Sequence, residues 1–226
     1  MKQEFLLSFF VLLFIQTSYA GKTKPERITG NRGNQLAGIR LGAYHFTTDE
    51  DAVPSDGFEI KRGGKDGFAI EAFYNYFFLD QVGVEATLGS ANRDDLIFES
   101  EEIGQLFGSA NVYPIAVGIK LTPLSGLVSD HYQPYFHGGG SLVITREMFQ
   151  GGKFKDLYAL YERGSKSRTD FGWWIGAGFE SYISSVVCVT SNFKYHFIDY
   201  SKPIAGYKDH SGYQITLGVA YILRKK

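Results

Sequence analysis

The sequence predicts an all-β fold: an eight-stranded antiparallel up-and-down transmembrane β-barrel, preceded by a cleavable signal peptide. Three observations lead there. First, long stretches alternate apolar with small or polar residues at period two, as a strand with two unlike faces requires. Gly212 to Leu223 is the clearest, with Tyr213, Ile215, Leu217, Val219, Tyr221 and Leu223 on one face and Gln214, Thr216, Gly218 and Ala220 on the other. Its dozen or so residues exceed the roughly 5–6 of an ordinary strand and suit the roughly 9–11 of a tilted bilayer crossing. Second, the connections run long, short, long, middling, long, short, long. In an up-and-down barrel that gathers the long loops on one rim. Third, the polar faces combine many glycines with equal numbers of acids and bases.

Composition bounds the rest. The chain has 226 residues, enough for one sizeable β domain, and Gly 27, Tyr 15 and Phe 19 favour strands over helices. Lys+Arg 23 against Asp+Glu 24 leaves no bulk charge to attract nucleic acid. Cys188 is the single cysteine, so no internal disulfide staples the exported chain, and it reads as a small buried hydrophobe.

In chain order, residues 1–20 read as the signal peptide: Lys2, the apolar run Phe5 to Ile15, then Ser18-Tyr19-Ala20 ahead of Gly21. Residues 21–34 are polar and turn-rich and are expected to be a disordered periplasmic lead-in to the barrel domain, 35–226. Strand one spans Gln35 to Phe46, followed by a loop, Thr47 to Asp66, carrying Asp49-Glu50-Asp51. Gly67 to Phe78 and Val82 to Ser90 form a hairpin about a three-residue turn. An acidic loop, Ala91 to Leu106, precedes strand four, Phe107 to Leu121, where Pro114 predicts a bulge or a strand end. Strand five, Gln133 to Thr145, holds Gly138-Gly139-Gly140, suited to a tight bend or close backbone approach. The basic loop Arg146 to Arg168 spaces Phe154, Leu157, Tyr158 and Tyr161 like a short amphipathic helix. Thr169 to Tyr182 is strand six, Val187 to Phe197 strand seven, and a fourth loop, Ile198 to Ser211, returns the chain to Gly212.

Which face looks outward separates this barrel from a soluble, lipocalin-like one. Six bulky side chains from each of eight strands would overfill so narrow an interior. With the bulky face turned to lipid, the lumen receives Arg40, Glu71, Glu85, Lys120, Glu180 and Lys194, three bases and three acids expected to pair. Phe73 and Trp174 interrupt the same face and could line a pocket. Aromatic residues near strand ends, among them Tyr44, Phe46, Tyr76, Tyr113, Tyr135, Trp173, Trp174, Tyr213 and Tyr221, read as interfacial girdles.

The segments YPIAVGIKLTPL (Tyr113 to Leu124), YQPYFHGGGSLVI (Tyr132 to Ile144), DFGWWIGAGFESYI (Asp170 to Ile183) and GYQITLGVAYIL resemble the small bacterial outer-membrane β-barrel superfamily of OmpW-like and OmpA/OmpX-type proteins. The resemblance implies residence in the outer membrane, long loops extracellular and both termini periplasmic, and folding by the barrel-assembly machinery. Family members often end on an aromatic residue; here Tyr221 is followed by Ile222-Leu223-Arg224-Lys225-Lys226.

Chemistry is absent by this reading. His45, His131, His137, His196 and His210, with Ser201 and Asp199, offer no serine–histidine–acid constellation and no pair at metal-ligand spacing. The expectation is a protein that is not an enzyme, with no catalytic residues, no metal site and no cofactor. Two functions remain. The barrel is a narrow conduit or binding site for small, apolar molecules, or a non-conducting scaffold whose loops meet host or envelope partners.

Overall fold

The computed structural model describes residues 31–48, 59–62, 64–100, 104–125, 132–150 and 167–223. The signal peptide, residues 21–30 of the lead-in, Asp49-Glu50-Asp51, His131, the helix expected around Leu157 and the Arg224-Lys225-Lys226 overhang lie outside these residues. The described strands are β1 (Gln35–Phe46), β2 (Glu59–Arg62), β3 (Asp66–Phe77), β4 (Val82–Ser100), β5 (Gly104–Leu121), β6 (Tyr132–Gln150), β7 (Ser167–Tyr182), β8 (Val187–Phe197), β9 (Asp199–Ile204), β10 (Tyr207–Asp209) and β11 (Gly212–Leu223). Eight of them pair in the order β4-β3-β1-β11-β8-β7-β6-β5, and β5 pairs back onto β4. The sheet is thus a closed antiparallel cylinder. The short β2 adds to the outer part of β4, while β9 and β10 form a two-stranded sheet of their own.

The seam joins the first and last strands along their whole length, from Gln35 opposite Leu223 to Phe46 opposite Gly212. Both strands have the bounds read from the sequence. Closure leaves no row of unpaired amides at an edge, the condition for placing a sheet in hydrocarbon. The ends of the cylinder differ. One rim holds the start of β1, the end of β11 and the connections around Asp80, Leu124 and Ser184; the other, the loop rim, holds the remaining connections.

Burial sorts the two faces as the alternation predicts. Along β3 every residue from Phe68 to Phe77 alternates exposed and buried. Phe171 is 77% and Trp173 68% exposed on the outside, whereas Arg40, Asn75, Glu85 and Lys120 are wholly buried inside. Apolar outside and charged inside is the inverse of a soluble barrel, which removes the lipocalin-like alternative.

Several expectations are corrected. The segment Ala91 to Leu106 is mostly strand, because β4 and β5 continue paired to Ser100 opposite Gly104, with a register shift between Arg93 and Leu96. Pro114 makes no bulge: β5 keeps its register with β6 through Pro114 opposite Val143. Toward β4 the paired positions Leu88–Ile115 and Ala91–Val112 flank it in one register, and its ring packs where Gly89 lacks a side chain. Residues 31–34, the end of the lead-in, form a hydrogen-bonded turn, with Gly33 N donating to Phe77 O and Phe77 N to Asn34 O. Four of the aromatic residues assigned to girdles, Tyr44, Phe46, Tyr135 and Trp174, point into the lumen. Strand parity, not residue type, decides their side.

The glycine triplet in β6 works by close approach. A Cβ on Gly139 would lie 2.2 Å from Val117 O and 2.4 Å from Gly118 Cα, and one on Gly118 would meet Gly138 O at 2.3 Å and Trp174 Cζ2 at 2.7 Å. Gly139 and Gly118 are register partners, so the β5–β6 wall is thin where the large Trp174 ring enters.

Candidate functional site

The interior has three levels. At the middle, side chains from seven strands meet in one polar cluster. Arg40 on β1 and Glu71 on β3 are cross-strand partners, and Arg40 Nη1 donates to Glu71 Oε1 at 2.7 Å. Arg40 Nη2 reaches Glu85 Oε2 on β4 at 3.1 Å. Lys194 Nζ on β8 lies 2.5 Å from Glu71 Oε2 and 3.4 Å from Glu85 Oε1. His137 Nδ1 on β6 meets Glu85 Oε1 at 2.9 Å.

A second group, Lys120 on β5 with Glu180 on β7, pairs lower in the barrel, and the Tyr182 hydroxyl donates to Glu180 Oε2 at 3.1 Å. Asn75 joins the two groups: its amide nitrogen donates to Glu85 Oε2 and its oxygen accepts from Lys120 Nζ, each at 3.0 Å. All six charged residues read from the sequence are therefore inside, paired and within one network. Burying so many charges is tolerable only because each cation faces a carboxylate and remaining lone pairs find donors.

Phe73 and Trp174, read as pocket lining, are covered by cations. The Arg40 guanidinium lies 3.7 Å from the Phe73 ring centroid and Lys194 Nζ 4.6 Å from that of Trp174. His137 adds an edge contact to Trp174 at 4.6 Å. Such contacts favour a desolvated cation.

Apolar clusters close the network from both sides. Toward the terminal rim, Leu36, Phe73, Phe77, Tyr182, Cys188, Ala220 and Ile222 pack together. Below them Asn31 Nδ2 donates to Gln133 Oε1 at 2.7 Å. Toward the loop rim, Tyr44, Phe46, Val112 and Val143 of the wall pack against Ile198, Tyr200 and Ile204. The last two belong to β9, so the segment expected to be the fourth loop is a hairpin folded into the mouth. Its turn, Ala205-Gly206, has φ of 50° and 80°, as a two-residue type I′ connection requires.

The hairpin is fastened on several sides. Tyr200 and Thr145 hydroxyls lie 2.6 Å apart, Ala205 N donates to Glu147 Oε2 at 3.0 Å, and Thr48 Oγ1 donates to Asp209 O at 2.7 Å. Arg93 lies 3.8 Å from the Tyr207 ring centroid and 4.9 Å from that of Phe46, stacked between them.

The sequence of this chain over residues 9–222 matches the model of the outer membrane protein beta-barrel domain. The chain belongs to that family. Membership places the exposed apolar face of this outer-membrane barrel in the lipid bilayer of the bacterial outer membrane. No curated protein matches the chain. Among solved structures, the outer membrane protein OprG from Pseudomonas aeruginosa is similar at 15% identity and a TM-score of 0.59, covering 88% of this chain and 100% of its own. Neisserial surface protein A is similar at 11% identity and a TM-score of 0.51, covering 84% of this chain and 96% of its own. At these identities the likeness is one of fold.

Reading from sequence put the outer-membrane barrel's six lumen charges and Asn75 on the inward face but did not find His137 or the mouth hairpin. His137 shares the inward parity of Tyr135, which was the available signal. The hairpin's signal was Ala205-Gly206 between Ile204 and Tyr207.

Proposed function

We propose that this outer-membrane barrel is a sealed, non-enzymatic scaffold that displays its loop rim, rather than a standing conduit. The observation that carries the reading is the filled lumen: an apolar cluster at each end and an interlocked ion network between them, with every charged member at most 2% exposed. In this reading the loop rim is extracellular, the termini are periplasmic after signal-peptide removal, and host or envelope partners meet the acidic and basic loops. Planar-bilayer recording of the purified protein at neutral pH tests it. Electrical silence is expected, and a steady conductance at neutral pH would overturn the seal.

A second reading, a conduit for small apolar molecules entering at the loop rim, is favoured by one feature. The β9–β10 hairpin pairs only with itself in its sheet, so it can leave the mouth without unpairing a wall strand.

A further inference from the structure

His210 sits between β10 and β11, outside the spanning strands, and is wholly buried. Its ring makes edge contacts with Phe46, Tyr200 and Tyr207 at centroid distances of 6.2, 5.5 and 6.4 Å. Nε2 lies 3.1 Å from Ile204 O, an acceptor, so Nε2 carries the proton of the neutral ring, and Nδ1 has no hydrogen-bond partner among the described residues. The Tyr44 hydroxyl donates to His210 O at 3.2 Å, so the residue also ties the hairpin to β1.

The charged and titratable groups around it come from each packed element: Tyr44 from β1, Arg93 from β4, Tyr200 from β9, Tyr207 and Asp209 from β10. Asp209 favours an imidazolium, but its Oδ1 is already engaged by Ser211 N at 2.7 Å. Burial is the largest effect, and Arg93 adds to it; together they push the His210 pKa down to about 4. The Ile204 and Tyr207 carbonyls favour the imidazolium as Asp209 does, but burial and Arg93 outweigh them.

We propose that the β9–β10 hairpin is an acid-released plug, in which a proton taken from water onto His210 Nδ1, beside Arg93, frees the hairpin from the barrel mouth. The inference rests on the sealed-barrel reading and adds a condition under which the upper seal opens. The sign follows from linkage. A seated His210 holds its proton only near pH 4, whereas a withdrawn one titrates near the ordinary 6.5. Seating is therefore at full strength above 6.5, weakens as pH falls through that window, and changes no further below about 4. Between pH 7.5 and 5 the withdrawn-to-seated ratio rises on the order of 30-fold.

Amide hydrogen exchange of the full protein in lipid nanodiscs reads that ratio. After correction for intrinsic exchange, protection at Ala205 and His210 should fall on the order of 30-fold from pH 7.5 to 5. Protection in the wall, at Thr216 and Leu217, should hold. His210→Phe and His210→Asn should each abolish the fall, and Arg93→Gln should make it smaller, because easing the repulsion brings the seated pKa closer to the withdrawn one while the onset near 6.5 stays put. Unchanged hairpin protection, an equal loss in the wall, or a full fall in both His210 variants would each overturn the plug. Conductance at neutral pH would instead indict the seal itself, so the two failures are distinguishable.

Discussion

Arg40 and Glu71 face each other across the β1–β3 pair, and their side chains meet inside the barrel at 2.7 Å. The contact is local in register but shared: each partner also binds into the set containing Glu85 and Lys194. Removing one member therefore strands more than one opposite charge.

Glu85 is the member with most partners. Glu85→Gln keeps its size but leaves Arg40 and Lys194 to share Glu71, and should cost about 3–5 kcal/mol of stability. Lys120 and Glu180 form the smaller group, so the single changes Lys120→Met and Glu180→Met should each harm more than the double change, which buries no unpaired charge. Urea midpoints, followed by the mobility difference between folded and heated protein in detergent electrophoresis, measure both. A Glu85→Gln midpoint equal to that of the parent would show that the network adds nothing to stability.

Adjacent tryptophans look in opposite directions. Trp173 is 68% exposed on the outer wall and Trp174 1% exposed inside. In vesicles made with brominated acyl chains, Trp173→Phe should lose most of the quenching and Trp174→Phe should retain it. Equal quenching in the two variants would contradict the assignment of faces.

Within Gly138-Gly139-Gly140 the positions are unequal. A Cβ at Gly139 strikes backbone of β5, whereas at Gly140 the nearest heavy atom is on the Trp173 ring, 3.6 Å away. Gly139→Ala should destabilise the folded band by roughly 1–3 kcal/mol or more, and Gly140→Ala by far less. The same electrophoretic titration compares them, and equal midpoints would refute the close-approach argument.

These contrasts mark what a sequence can and cannot carry. Gln35 to Phe46 and Gly212 to Leu223 were legible to the residue because lipid on one side and a filled lumen on the other impose period two along their full length. Beyond Arg93 the register shifts, and β4 runs on through Asp94 and Asp95, which look like loop, before pairing with β5 again from Leu96. The six lumen charges were legible from parity and balance. Which acid serves which base was not, since it depends on strand stagger that brings Lys120 to Glu180 across 60 residues. The mouth hairpin was hidden for another reason: its strands are short, and its buried residues are dictated by insertion into the barrel rather than by a face of the wall.

The seam between β1 and β11 decides when this chain can live in a membrane at all. Without the final dozen residues, β1 and β8 each present a row of bare amides and carbonyls, and hydrocarbon offers nothing to satisfy them. A partly built cylinder is thus a species that lipid rejects and that neighbouring strands would seek to extend. Insertion is consequently a single commitment made after Gly212 to Leu223 has been delivered.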